Sequence, residues 1–125
     1  MQGPLLEGKT IIVTGGATGI GQAFALTSAA YGARVMIADL NSADETLELI
    51  KKNGGEASYV KTDVSDEASA KAMAQAAVKW SGRVDGLINN AAYFREVKLT
   101  PFEEISTEIW DRIFDVNVKG IWQCC

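Results

Sequence analysis

Thr10-Ile11-Ile12-Val13-Thr14-Gly15-Gly16-Ala17-Thr18-Gly19-Ile20-Gly21 is the stretch whose reading decides the fold. Its first five residues are short, β-branched and apolar, and glycine bounds them, so they read as a buried strand. The glycines that follow allow positive φ and a close approach of backbone to a phosphate. Ile20, Ala23, Phe24, Thr27 and Tyr31 then recur at helical spacing, and Gly32 suits a helix C-terminus. A strand, a glycine turn and a helix in immediate succession place free N–H groups and a positive dipole end just behind the strand, where a pyrophosphate is stabilised. A bare glycine pattern also fits an ordinary turn. Its place in a βαβ unit of suitable length is the context that favours nucleotide binding.

The same grammar repeats outward. Arg34 to Ala38 reads as a second strand that ends in Asp39. Ser42-Ala43-Asp44-Glu45 fits a capping box, with Ser42 as N-cap. The helix it opens carries Leu47 and Ile50 inward and a Glu48–Lys52 pair outward, and it stops at Gly54-Gly55. Ala57 to Lys61 is a third strand leading to Thr62-Asp63-Val64. A third helix has Ala72, Met73, Ala76, Ala77 and Trp80 on one face and ends before Gly82, and Gly86-Leu87-Ile88-Asn89 is a fourth strand. This alternation predicts an α/β fold, a Rossmann-type doubly wound parallel sheet with strand order 3-2-1-4 and helices on both faces.

After Pro101 and a capping candidate at Ser106 or Thr107, apolar residues recur at Trp110, Ile113, Phe114 and Ile121. The stripe reaches Cys124-Cys125 without Gly, Pro or a basic stop signal, so residues 1–125 are expected to be the N-terminal portion of one nucleotide-binding domain, truncated within this helix. The three tryptophans fall at helical positions expected to face a core. Glu103, Glu104 and Glu108 read as a solvated cluster at a helix start.

Composition narrows the chemistry. The chain of 125 residues is 47% hydrophobic and 22% charged, within the range of a folded domain. Its formal net charge is −4 with scattered Lys and Arg, which disfavours a nucleic-acid partner. There is no histidine, which removes His bases and His-ligated zinc, and no metal site is expected. The adjacent Cys124 and Cys125 are unsuited to bridge each other, so a reducing compartment is expected. The opening Met1 to Lys9 has no basic n-region or long apolar run, and no apolar stretch is long enough to span a membrane. A cytoplasmic protein without a membrane partner is the expectation.

Asp39 lies twenty-four positions after Gly15. An acid there accepts hydrogen bonds from adenosine ribose hydroxyls and repels a 2′-phosphate, and no Lys or Arg occupies positions 40–44. That favours NAD over NADP; the plainer reading is a turn aspartate or helix cap.

The pattern from Thr14 to Gly21, with three residues between Gly15 and Gly19, resembles the short-chain dehydrogenase/reductase family. Asp63-Val64 is similar to the family's pair after the third strand, Asn89-Asn90-Ala91-Ala92 to its Asn-Asn-Ala-Gly signature, and Asn117-Val118-Lys119-Gly120 to the helical segment that follows. The resemblance implies cofactor contacts at Gly15, Thr18, Gly19, Ile20, Gly21, Asp39, Leu40, Asp63, Val64, Asn90 and Ala91. In it the Asp63 carboxylate bonds the adenine amino group. Asn117 is implied as a catalytic-site residue organising a water-linked proton relay, against the plainer reading of a polar residue on a helix. Ala92 departs from the usual glycine. The family's catalytic serine and Tyr-x-x-x-Lys have no counterpart: Tyr31 and Tyr59 sit in a helix and a strand, and Lys98 is five residues beyond Tyr93. The implied function is the NAD-binding portion of an oxidoreductase that moves a hydride between a nicotinamide and a small carbonyl or secondary alcohol, able to bind nucleotide but not competent alone. Tyr93-Phe94-Arg95 would border its substrate. The alternative is a non-catalytic half-domain that self-associates, as a homo-oligomer, through its exposed last helix and sheet edge.

Overall fold

A computed structural model describes residues 4–125, so Met1, Gln2 and Gly3 of the opening segment read above lie outside the described residues. Four parallel strands form the sheet: β1 (Thr10–Thr14), β2 (Arg34–Asp39), β3 (Glu56–Lys61) and β4 (Gly86–Ile88), in the order β3-β2-β1-β4. The register runs from Thr10 opposite Arg34 to Thr14 opposite Ala38, and from Arg34 opposite Glu56 to Asp39 opposite Lys61. On the other side of β1, Ile11, Ile12 and Val13 pair with Gly86, Leu87 and Ile88. Both the parallel sheet and its order are those expected from the alternation of strands and helices.

Successive side chains alternate across the sheet and build two cores. Val13, Val35 and Ile37 pack on one face with Ala25 and Ala29 of α1 (Gly19–Ala30) and Ile50 of α2 (Asp44–Lys52). Ile12, Met36 and Ala38 pack on the other with Met73 and Ala77 of α3 (Glu67–Ser81), and Cys124 closes against that cluster. With both faces covered, the central strands are apolar at nearly every position.

Helix faces differ in detail from the periodicity. In α1 the buried residues are Gly21, Ala25, Ser28 and Ala29, whereas Ile20 and Phe24 are exposed. The helix lies so close to the strands that only small side chains fit beneath it, and the larger ones turn outward. In α2 the expected capping box does not form. Ala43 is the N-cap and is buried in the core, while the Ser42 hydroxyl accepts from the Asp44 N–H at 3.3 Å and closes a local turn. Anchoring Ala43 in the core starts the helix one residue later than the polar pattern implies. In α3 Ala70 replaces Ala72 on the buried face, and Asp66 caps the helix by accepting from Ser69 N–H at 2.8 Å.

The segment after β4 holds a short 3₁₀ turn (Phe102–Glu104) and then α4 (Thr107–Phe114), capped by Ser106, whose hydroxyl accepts from Ile109 N–H at 3.3 Å. A π-helical turn (Asp115–Lys119) follows and runs into α5 (Gly120–Cys124). The wider turn breaks the single apolar stripe read from Trp110 onward. Trp80 packs against the second core, but Trp110 and Trp122 are exposed, contrary to the expectation of three core tryptophans. Among the described residues, no helix is long and apolar enough to cross a membrane.

Candidate functional site

The C-terminal ends of all four strands open on one cleft of about 480 Å³. In a doubly wound sheet this is where the chain reverses direction across the sheet and where crevices form. Its first wall is the turn between β1 and α1. Gly15 and Gly19 adopt φ of 67° and 59°, in the left-handed region that glycine occupies without strain. A Cβ built at Gly21 would lie 1.9 Å from the Gly15 carbonyl oxygen, so a side chain there is incompatible with the turn. The Thr18 side chain makes no cap hydrogen bond. The first-turn N–H groups have no partner within the helix.

The second wall is Asp39, at the end of β2. Its Oδ2 accepts from Ala17 N–H at 3.0 Å and its Oδ1 from Asn41 N–H at 3.0 Å, which holds the carboxylate against the glycine turn. Thr46 of α2 braces the same turn: its buried hydroxyl donates to Ala17 O at 2.9 Å and accepts from Gln22 Nε2 at 3.0 Å. Beneath it, the Tyr59 hydroxyl donates to Asp39 O at 3.1 Å. Burial, followed by the negative charges of Asp39 and Asp44, pushes the Tyr59 phenol above its ordinary range and keeps it a donor.

The third wall follows β3. Asp63 Oδ1 accepts from Ser65 Oγ at 2.6 Å and from Ser65 N–H at 3.0 Å. Burial pushes this carboxyl up, but the Ser65 hydrogen bonds and the charges of Arg112 and Lys119 outweigh it and hold Asp63 below the usual range. It therefore remains an ionised acceptor near neutrality.

The fourth wall is knitted to the first by Thr14. Its buried hydroxyl donates to Ile88 O at 3.4 Å and accepts from the N–H groups of Asn90 and Ala91, both at 3.0 Å. The Asn90 side chain returns the contact, donating from Nδ2 to Thr14 O and Gly15 O at 3.1 Å each. Beyond it, Asn117 grips the peptide of Tyr93: Oδ1 accepts from Tyr93 N–H at 2.7 Å and Nδ2 donates to Tyr93 O at 3.2 Å. The π-helical turn places Asn117 here, and Gly120 lets α5 approach β3's exit, since a Cβ there would lie 2.8 Å from Val64 Cγ2.

The cleft thus gathers every residue expected to contact a cofactor: Gly15, Thr18, Gly19, Ile20, Gly21, Asp39, Leu40, Asp63, Val64, Asn90 and Ala91. Asn117 reaches it through Tyr93. Tyr93, Phe94 and Arg95, read as one wall of a substrate pocket, also line it. Sequence reasoning missed Thr14 as a bridge between strands, Thr46 as a brace, and Arg112 and Val116 as lining residues. The apolar pattern of β1 hid the role of Thr14, and α4 and the turn after it carry no glycine signal that would have marked Arg112 and Val116.

A four-stranded parallel sheet in the order β3-β2-β1-β4 flanked by helices, with a glycine turn and a carboxylate side by side at its strand exits, defines a doubly wound fold of Rossmann type. The short chain dehydrogenase family profile matches residues 9–125, and the chain belongs to that family. It is 43% identical over 118 residues to glucose 1-dehydrogenase 2 of Bacillus subtilis, covering 92% of this chain and 45% of that protein. It is 41% identical over 120 residues to 2,5-dichloro-2,5-cyclohexadiene-1,4-diol dehydrogenase of Sphingobium indicum, covering 95% and 46%. A Serratia marcescens short-chain dehydrogenase/reductase carrying two phenylalanine substitutions superposes with a TM-score of 0.89 at 32% identity, covering 96% of this chain and 49% of that one. Levodione reductase gives 0.89 at 29% identity, covering 95% and 47%. The chain spans a little under half the length of these curated relatives.

The Thr14 knot generates a stability test. Thr14→Val keeps the shape but leaves two N–H groups without their acceptor, and should cost about 2 kcal/mol or more. Urea unfolding measures it, and a loss below about 0.5 kcal/mol would show that the knot does not hold the walls together.

Proposed function

We propose that the protein binds a nicotinamide dinucleotide in this cleft, NAD in preference to NADP, as the cofactor-holding part of an oxidoreductase acting on a small carbonyl compound or secondary alcohol. The observation that carries the reading is the Gly15–Gly21 turn: a Cβ at Gly21 would lie 1.9 Å from the Gly15 carbonyl oxygen, and positive φ at Gly15 and Gly19 sets the backbone at the start of α1 in the cleft wall. The residues present fit the group. Gly15, Thr18, Gly19, Ile20 and Gly21 would hold the diphosphate, Asp39 would accept from the adenosine ribose, and Asp63 would accept from the adenine amino group. Leu40, Val64, Asn90 and Ala91 would flank the base and ribose.

When bound, the nicotinamide supplies the acceptor or donor of a hydride. The chain's own residues bind, orient and exclude water. Asp39 disfavours a 2′-phosphate by like charge, and no Lys or Arg at positions 40–44 offsets it. Asn117 holds Tyr93 beside the substrate side, with its remaining hydrogen-bonding capacity free for a bound water. The family's serine and Tyr-x-x-x-Lys have no counterpart among these 125 residues, so we assign binding rather than turnover to this chain by itself. The relatives' names support the reaction class: one is glucose 1-dehydrogenase 2 and another is 2,5-dichloro-2,5-cyclohexadiene-1,4-diol dehydrogenase.

Isothermal titration calorimetry tests the assignment. Asp39→Ala should weaken NAD on the order of tenfold and narrow the gap between NAD and NADP. Unchanged NAD affinity in that variant would sink the ribose assignment.

A second reading is favoured by a separate observation. Trp110, Phe114, Val118, Ile121 and Trp122 are exposed on the last helical segment, and the rings of Trp110 and Phe114 stack at 4.8 Å. An apolar face of this kind seeks cover. We infer that it pairs with a second copy of the chain, which is compatible with nucleotide binding. Light scattering should give a dimer or larger species, and a monodisperse monomer would count against the pairing.

A further inference from the structure

Arg112 is a cation in the cleft wall that forms no ion pair with any described residue. It sits in the last turn of α4, and its guanidinium makes two contacts of different kinds. Nη1 donates to Ser65 Oγ at 3.3 Å, and Cζ lies 5.5 Å from the centroid of the Tyr93 ring, in cation–π range. One side chain on α4 therefore touches the loop after β3 and the loop after β4.

The Ser65 contact determines how Asp63 is presented. Ser65 Oγ has one proton, and it is committed to Asp63 Oδ1 at 2.6 Å. A guanidinium cannot accept a hydrogen bond, so its donation to Ser65 Oγ favours that direction of the hydroxyl. Oδ1 is thereby held by the Ser65 hydroxyl and N–H, while Oδ2 carries no hydrogen bond from the described residues. Asp63 lines the cleft with one oxygen locked and one available.

We propose that Arg112 is a positioning residue for base recognition: acting through Ser65 it orients Asp63 so that Oδ2 is presented to an exocyclic amino group, and by lying on Tyr93 it ties that subsite to the loop after β4. The inference rests on the nucleotide-binding reading above and goes beyond it by naming what sets the preference for an amino-bearing purine. Neither contact is replaced by lysine, whose ammonium is a point charge on a flexible stem and cannot span two partners as a rigid fork.

The test compares ADP with inosine diphosphate, whose base carries a carbonyl oxygen where adenine carries the amino group. Affinities of both are measured by calorimetry for the wild type, Arg112→Met, Ser65→Ala and the double variant. The wild type should favour ADP on the order of tenfold, because the partly buried Asp63 carboxylate would face a carbonyl oxygen in place of the exocyclic amino donor. Arg112→Met should reduce that preference to about twofold, Ser65→Ala should do the same, and the double variant should lose little more. General damage to the cleft would weaken both nucleotides equally and leave their ratio unchanged. Ser65→Ala also keeps the idea testable should Arg112→Met fail to fold.

A wild type that favours ADP together with variants that keep the full preference overturns the role of Arg112 and leaves the nucleotide reading standing. A wild type that binds both bases equally overturns the Asp63 assignment and the role of Arg112 with it. A wild type that binds neither overturns the nucleotide reading itself, and this inference falls too.

Discussion

Where α1 leaves the glycine turn, the Gly21 Cα faces the Gly15 carbonyl so closely that a methyl group would sit 1.9 Å from the oxygen. This steric limit brings the start of α1 over the exit of β1, and the rest of the site is built around it. The close packing demands small residues beneath the helix, which is why Ala25, Ser28 and Ala29 are buried and Ile20 and Phe24 are not. It also leaves the turn within reach of Asp39, whose Oδ2 accepts from Ala17 N–H. Local glycine chemistry, helix packing and the placement of a carboxylate are thus one event seen at three scales.

Hydrogen bonds join the walls of the cleft at the strand exits. Thr14 and Asn90 exchange bonds across the β1–β4 exits, Thr46 and Ala17 join α2 to the glycine turn, and Asn117 holds the peptide of Tyr93. Strand ends are where ladder pairing stops and backbone groups need other partners. These side chains supply them, so the same residues that satisfy the backbone also rigidify the crevice. Such support from beneath is what a binding site requires if its contacts are to be made without further ordering.

Much of this was legible in the sequence because the signals were local. Val13, Ile37 and Met36 mark strands by β-branching and continuous apolarity, and the alternation with helices implies the parallel order seen in the sheet. Glycines between β1 and α1, and an acid ending β2, stand at fixed offsets from those strands. What was not legible depends on tertiary packing. The Ser42 cap fails because Ala43 is drawn into the core, and the stripe read from Trp110 to Cys124-Cys125 is broken by a π-helical turn that no residue pattern announces. Arg112 looks like any solvated cation of an amphipathic helix until α4 is seen beside Ser65 and Tyr93.

The most direct measurement is an amide chemical-shift titration of the protein with NAD. The account predicts perturbations concentrated at Gly15, Thr18–Gly21, Asp39–Leu40, Asp63–Val64 and Asn90–Ala91, the residues that line the cleft from four separate strand exits. Saturating NAD without perturbation of the glycine turn, or with shifts confined to a surface away from these strand ends, would contradict it.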